Sequence, residues 1–242
     1  MRRSENCVVL CASVIGVCAL SFDARGTVLL HDDFTGGSIN PALWSIETPF
    51  SGSNVSVNAN RAQFNKRGYL NTVAEFDPIT QPIQISGRWE FGDHDDFMQI
   101  ATRSEGFPNG GTNENRNALE LVTGASRDDV RIQTFLNGAN AQLIVLPISI
   151  EVGDIFDFTI IDDGSSFSFT LSEVGGEGEF LSHTIATSLN TGHNHVTFHN
   201  RELNQNVSYL HEVTIEAIPT PGGVSVGLGM LGAGAVRRRR GG

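Results

Sequence analysis

Phe156-Asp-Phe-Thr-Ile-Ile161, Asp162-Asp-Gly-Ser165, Ser166-Phe-Ser-Phe-Thr-Leu171: apolar and polar residues alternate on both sides of a short Asp/Gly/Ser segment. Alternation places one set of side chains on one face of an extended strand. Asp and Gly supply the backbone angles that reverse the chain. The stretch reads as a β-hairpin with one buried face, and the same pattern recurs outward in both directions. Ile83 to Phe91 puts Ile83, Ile85, Gly87, Trp89 and Phe91 on one side, and Phe97 to Arg103 alternates likewise. Further strands are expected at Thr27–His31, Asn54–Val57, Arg61–Asn65, Tyr69–Phe76, Ala118–Val122 and Val130–Leu136. Gln142–Ile150 follows, broken at Pro147, then Glu179–Ile185, His195–His199 and His211–Ala217. Helix signals are nearly absent. So many short strands between turn residues predict an all-β, antiparallel two-sheet jelly-roll sandwich, with a closed barrel as the alternative.

The ends of the chain differ from this body. Arg2 and Arg3 precede an apolar run from Cys7 to Leu20, with small residues at Ala19 and Ser21 and again at Ala24. This is the layout of a signal peptide over residues 1–25, or otherwise of an uncleaved N-terminal anchor. The remainder of a twin-arginine pattern is missing, so the Sec translocon and signal peptidase are the expected partners. At the other end, residues 218–242 hold Pro219-Thr220-Pro221-Gly222-Gly223, an apolar Gly/Ala-rich run from Val224 to Val236, and Arg237, Arg238, Arg239 and Arg240. The prolines stop the preceding strand. The arginine block is costly to move across a bilayer and stays on the cytoplasmic side. The run is shorter than the ~20 residues of a stable transmembrane helix, as suits a removable anchor. A Gly-rich tail with a basic end is the alternative.

This tail resembles the PEP-CTERM sorting signal of bacterial exported proteins, with Pro219-Thr220-Pro221 where that family usually has Pro-Glu-Pro. The resemblance implies an exosortase-like processing enzyme as partner and Pro219 to Gly223 with Arg237 to Arg240 as the sorting residues. The expected location is the inner membrane before processing and the cell surface or extracellular space afterwards.

Three domains of the chain follow: 1–25, a sandwich over 26–217, and 218–242. All three cysteines, Cys7, Cys11 and Cys18, lie in the signal segment, so the mature body has no disulfide and no thiol chemistry. Without the terminal segments, nine of the 16 basic residues and 25 of the 27 acidic ones remain, a formal charge near −16 with Lys66 the only lysine. Such a surface repels nucleic acid and favours solubility.

Asp32-Asp-Phe-Thr-Gly-Gly-Ser-Ile-Asn-Pro-Ala-Leu-Trp44 resembles the opening of bacterial domains of the concanavalin A-like lectin/glucanase class. The Ile-x-Gly-x-Trp-x-Phe strand and the Asp-Asp-Gly hairpin follow in a similar order. The resemblance spans Leu30 to Ala217 and implies a sandwich that hosts enzymes, lectins and passive modules alike. Glucanases of the class carry Glu-x-Asp-x-(x)-Glu on one strand, because two carboxylates must flank one glycosidic bond. The chain has no such run. Glu120 has no acidic residue two positions on, Glu177 and Glu179 fall in a Gly-rich turn, and Glu212 and Glu216 share a face of the last strand beside the anchor. No catalytic residue is therefore assigned.

His193, His195 and His199 have strand spacing that suits Zn²⁺ or Cu²⁺, but Gly192-His193 reads as a turn and no further ligand completes a set. Asp93/Asp95/Asp96, Asp128/Asp129 and Asp162/Asp163 leave structural Ca²⁺ open without matching a defined loop; no other cofactor and no metal residue is assigned. Trp44 and Trp89 are either core residues or sugar platforms, with Trp89 in an apolar alternation. The polar stretch Phe107 to Asn117 is the expected place for a ligand edge. The expected function is an exported, transiently anchored surface or matrix protein with a non-catalytic, carbohydrate-binding sandwich and extracellular polysaccharide as a further partner. A divergent glycan hydrolase and a ligand-free matrix protein are the alternatives.

Overall fold

The computed structural model describes residues 26–93, 97–106, 115–123, 128–137, 139–175, 181–200 and 207–219. Every regular element among them is a strand. In chain order these are β1 Thr27–Asp32, β2 Trp44–Glu47, β3 Asn54–Asn58, β4 Arg61–Asn65, β5 Tyr69–Thr72, β6 Ile83–Phe91, β7 Phe97–Ser104 and β8 Arg116–Val122. Then come β9 Asp129–Leu136, β10 Ala139–Pro147, β11 Ile155–Asp162, β12 Ser166–Glu173, β13 Leu181–Ala186, β14 His195–Asn200 and β15 Val207–Ala217.

They form two antiparallel sheets. The eight-stranded sheet runs β13-β12-β11-β6-β15-β4-β3, with β1 also paired to β15; the seven-stranded sheet runs β10-β9-β8-β7-β14-β5-β2. No helix among the described residues is long and apolar enough to cross a membrane, and the sorting segment from Thr220 lies outside them. The hairpin that decided the fold is β11–β12, with Asp162 opposite Phe167.

The core lies between the sheets. Ile83, Ile85, Trp89 and Phe91 of β6 point into it, as do Phe156, Phe158 and Ile160 of β11 and Phe167, Phe169 and Leu171 of β12. From the other sheet come Met98, Ile100, Leu119, Leu121, Val130, Ile132 and Phe198. Phe158 and Phe198 bring the two layers together, their ring centroids 6.3 Å apart. Gly87 continues the inward stripe of β6 without a side chain, and the ring of Phe158 occupies the space its Cβ would need.

Most strand limits fall within two residues of the sequence reading, and the larger departures concern β2, β5, β10 and β15. β5 stops at Thr72 instead of Phe76, where Val73 turns to bond Leu43. β10 covers 139–147 and ends at Pro147, which cannot donate to a ladder. β15 begins at Val207, ahead of His211. β2 is too short to show an alternation and has no counterpart in the sequence reading. The Asp32 to Trp44 opening has a local cause: Asp32 accepts from Trp44 Nε1 at 2.7 Å and from Phe34 N at 2.8 Å, which holds Phe34 at a φ of 55°.

Candidate functional site

Alternation along the central strands of the seven-stranded sheet sends a second set of side chains to the face turned away from the core. Register aligns them in rows. One row reads Glu47, Tyr69, His199, Gln99, Glu120, Arg131 across β2, β5, β14, β7, β8 and β9. The next reads Ser45, Asn71, Thr197, Ala101, Ala118, Gln133. Tyr69, Asn71, Thr197, His199, Gln99, Glu120 and Gln133 are all buried. The face is open at its β2–β5 end, where Ser45 is exposed and Glu47 and His195 are half-buried.

Gln99 is the hub. Its Oε1 accepts from Arg116 Nε at 3.1 Å and meets His199 Nε2 at 2.6 Å, while its Nε2 donates to Glu120 Oε1. With the amide oxygen facing it, His199 carries its proton on Nε2. The imidazole stacks on Tyr69 at 4.7 Å, and Arg116 lies 3.8 Å over the ring of Phe135, which packs with Ala101 and Ala118 in a small apolar cluster. Asn71 Nδ2 donates to Gly106 O at 2.8 Å and reaches Glu47 Oε1 at 3.4 Å. Burial raises the Glu47 carboxyl above its ordinary range. Asn71 Oδ1, Thr197 Oγ1 and Gln133 Nε2 are buried without a hydrogen-bond partner among the described residues. Buried polar atoms in that condition are uncommon and favour a polar guest.

The carboxylates on this face are poorly placed for glycoside cleavage. Glu47 and Glu120 are four strands apart, about 19 Å at ~4.8 Å per strand. A retaining pair needs about 5 Å and an inverting pair about 6.5–9.5 Å. Asp129 is closer to Glu120, on neighbouring β9, but Arg131 holds it through Nε at 2.7 Å and Nη2 at 3.1 Å. In the sequence Glu120 stands without an acidic partner on its own strand, so its place in this row is set by register alone. The available signal was a Glu at an alternating position inside the apolar run Ala118 to Val122.

The other sequence candidates are placed as follows. His193 lies in the loop ahead of β14, as expected for the turn, while His195 and His199 share the strand. His195 Nδ1 meets Thr72 O at 2.8 Å, and among the described residues no three His, Cys, Asp or Glu side chains gather as a metal set. Neither tryptophan is a sugar platform: Trp89 and Trp44 are both buried, packed on Phe64 and Phe198 respectively. Arg116 and Asn117, expected in the ligand loop, belong to β8; residues 107–114 lie outside the described residues, as do 94–96 and 176–180.

Asp162 and Asp163 are not alike. Asp163 caps the turn, accepting from Ser165 N and Ser166 N at 2.8 and 2.6 Å and from both serine hydroxyls. Asp162 is fully buried between the sheets. It pairs with Arg103 Nη2 at 2.5 Å and accepts from Thr102 Oγ1 at 2.6 Å. A bulge in β7 opposite His195–Thr197 turns Arg103 toward it, at a φ of 52°, and Arg103 Nη1 also donates to Leu189 O. That ion pair joins the two layers and was invisible in the sequence.

No family model matches the chain, and no curated protein matches its sequence. Solved structures do match its shape. A Bacillus licheniformis β-glucanase superposes with a TM-score of 0.57 at 12% identity, covering 79% of this chain and 98% of its own. Peanut lectin in complex with a nine-residue peptide gives 0.57 at 11% identity, over 81% of this chain and 100% of its own. A Lotus tetragonolobus seed lectin gives 0.60 at 9% identity, over 79% and 99%. The fold is thus the concanavalin A-like lectin/glucanase sandwich, shared by enzymes and by binding proteins.

Proposed function

We propose that the protein is exported, held transiently at the membrane by its C-terminal segment, and released as a cell-surface or matrix protein whose sandwich binds carbohydrate without cleaving it. The observation that supports this most is the outer face of the seven-stranded sheet. It offers amide, hydroxyl and imidazole groups in register, with buried polar atoms awaiting partners. Among the described residues, the nearest second carboxylate to Glu120 on this face, Asp129, is already engaged by Arg131. Hydroxyl-rich neutral ligands are recognised by such groups. The open end at Ser45, Glu47 and His195 is the place of entry.

A glycan array probed with the exported protein, run beside reducing-sugar release from β-glucans, tests the reading. Binding without release is expected. Release that disappears in Glu120→Gln would replace it with a hydrolase, and a blank array with normal incorporation into extracellular polymer would replace it with a ligand-free matrix protein. For the sorting step, changing Arg237 to Arg240 to Ser is expected to block maturation, read by the intact mass of the released form. Unchanged release would count against the anchor.

A further inference from the structure

The open end of the seven-stranded sheet's outer face is built of acceptors. Asn71 lies opposite Ser45 on one side and Thr197 on the other. Its Nδ2 is engaged by Gly106 O at 2.8 Å and Glu47 Oε1 at 3.4 Å, while its Oδ1 is buried without a partner among the described residues. Thr197 Oγ1 is in the same condition. His195 sets Nδ1 against Thr72 O at 2.8 Å; a carbonyl only accepts, so the neutral ring holds its proton there and leaves Nε2 as another acceptor. His195 and Asn71 both border the place a Gly106 Cβ would take, so His195, Asn71 and Glu47 form one arc.

Glu47 is the odd member of the arc. A carboxylate drawn part-way out of water is costly unless a cation or good donors answer it. Elsewhere the fold supplies the cation: Glu90 meets Arg61 and His211, Asp157 meets Arg88, and Asp129 meets Arg131. Glu47 has the long contact from Asn71 and no ion-pair partner among the described residues, and burial raises its carboxyl with no cation opposing it. The arginines around it are committed elsewhere: Arg131 to Asp129, Arg116 to Gln99 and the Phe135 ring, and Arg67 over the Phe50 ring at 4.8 Å. Were His195 to gain a charge, its Nε2 faces Glu75 at 3.6 Å instead.

We propose that this end takes a protonated amine against Glu47, so that the carbohydrate bound by the face is one carrying free amino groups. An ammonium brings donors and no acceptor, which matches an arc of acceptors around an unanswered carboxylate. The ligand class rests on the carbohydrate reading and sharpens it: the amide and hydroxyl rows take the sugar's hydroxyls, and the Glu47 end takes its charge. The strongly acidic body draws such a ligand in and repels uronic or sulfated ones.

Glucosamine oligomers and cello-oligomers share one glucan skeleton and differ by an ammonium in place of a hydroxyl. Titration calorimetry of the exported protein, at a pH where the amine is protonated, is expected to show the glucosamine oligomer binding at least about tenfold tighter, the gain of a charged over a neutral hydrogen bond. Glu47→Gln keeps the shape and removes the charge. It is expected to cut that preference below about threefold, to leave cello-oligomer affinity within about threefold, and to leave the circular dichroism spectrum unchanged. Glu212→Gln, exposed on the outer face of the other sheet, alters net charge equally and is expected to keep the preference. Equal affinity for the two oligomers would overturn the proposal and leave the carbohydrate reading standing. An equal loss of preference in both variants would overturn it as general attraction of a cation to an acidic body. Binding of neither oligomer would overturn it too, and the glycan array alone would then decide the carbohydrate reading.

Discussion

In the eight-stranded sheet, β11 and β12 alternate buried and half-buried residues almost from end to end, whereas β7 and β8 in the seven-stranded sheet are buried at every position. The first sheet has one face in the core and one in water, the usual state of an antiparallel sheet. The outer face of the second is shielded at its centre, and the side chains there are polar. Groups such as Gln99, Glu120 and His199 exchanged water for one another, and each bond lost among them exposes a desolvation cost that a wet face does not have. One sheet tolerates change on its second face; the other is organised by it.

The largest effect is expected where the two sheets are joined. Asp162→Ala leaves the Arg103 guanidinium buried with the Leu189 carbonyl but no counter-charge, and breaking a buried pair from one side costs about 3–5 kcal/mol. Arg103 also sits at a positive φ that its contacts enforce, so the bulge in β7 should relax as well. Urea unfolding followed by circular dichroism checks this. A loss under about 1 kcal/mol would mean that water reaches the pair and that the layers are held by the aromatic core alone.

That pair marks the boundary of what the sequence discloses. β6, β11 and β12 are legible because hydrophobic alternation reports directly which face meets the core. Pairing order is not, since Arg103 and Asp162 are far apart in the chain and only the sheet-to-sheet packing brings them together. The candidate site was missed for the same reason. Glu47, Tyr69, His199, Gln99 and Glu120 come from five strands, none with a motif of its own, and register alone lines them up. The tryptophans differ from each other: alternation placed Trp89 inside, as the structure has it, but Trp44 heads a four-residue strand too short to alternate.

A smaller effect sharpens the contrast between the two outer faces. Gln99→Leu removes the acceptor shared by Arg116 and His199 and the donor to Glu120, and is expected to cost about 1–3 kcal/mol. Thr159→Ala, on the solvent face of β11 opposite Ser86 and Thr170, should stay within about 0.5 kcal/mol. Equal costs, measured as chemical-denaturation free energies, would show that the second face of the seven-stranded sheet is no more organised than the first.

The smallest effect lies in the turn that reads most clearly in the sequence. Desolvation pushes the Asp163 carboxyl up, but hydrogen bonds from the Ser166 hydroxyl, the Ser165 and Ser166 amides and the Ser165 hydroxyl outweigh it and bring it from 3.8 down to about 2. The folded chain therefore holds this proton less tightly than the unfolded one. Its contribution is complete above 3.8, shrinks as the pH falls toward about 2 because the unfolded state protonates first, and is gone below that. Water screens so exposed a group, so the contribution stays under about 1 kcal/mol. In Asp163→Asn this part of the acid-side slope should vanish while the stability difference from wild type closes toward pH 2. A variant that keeps the full slope would place the acid sensitivity outside this turn, and the contrast between the tightly bonded turn and the buried pair beside it would have to be redrawn.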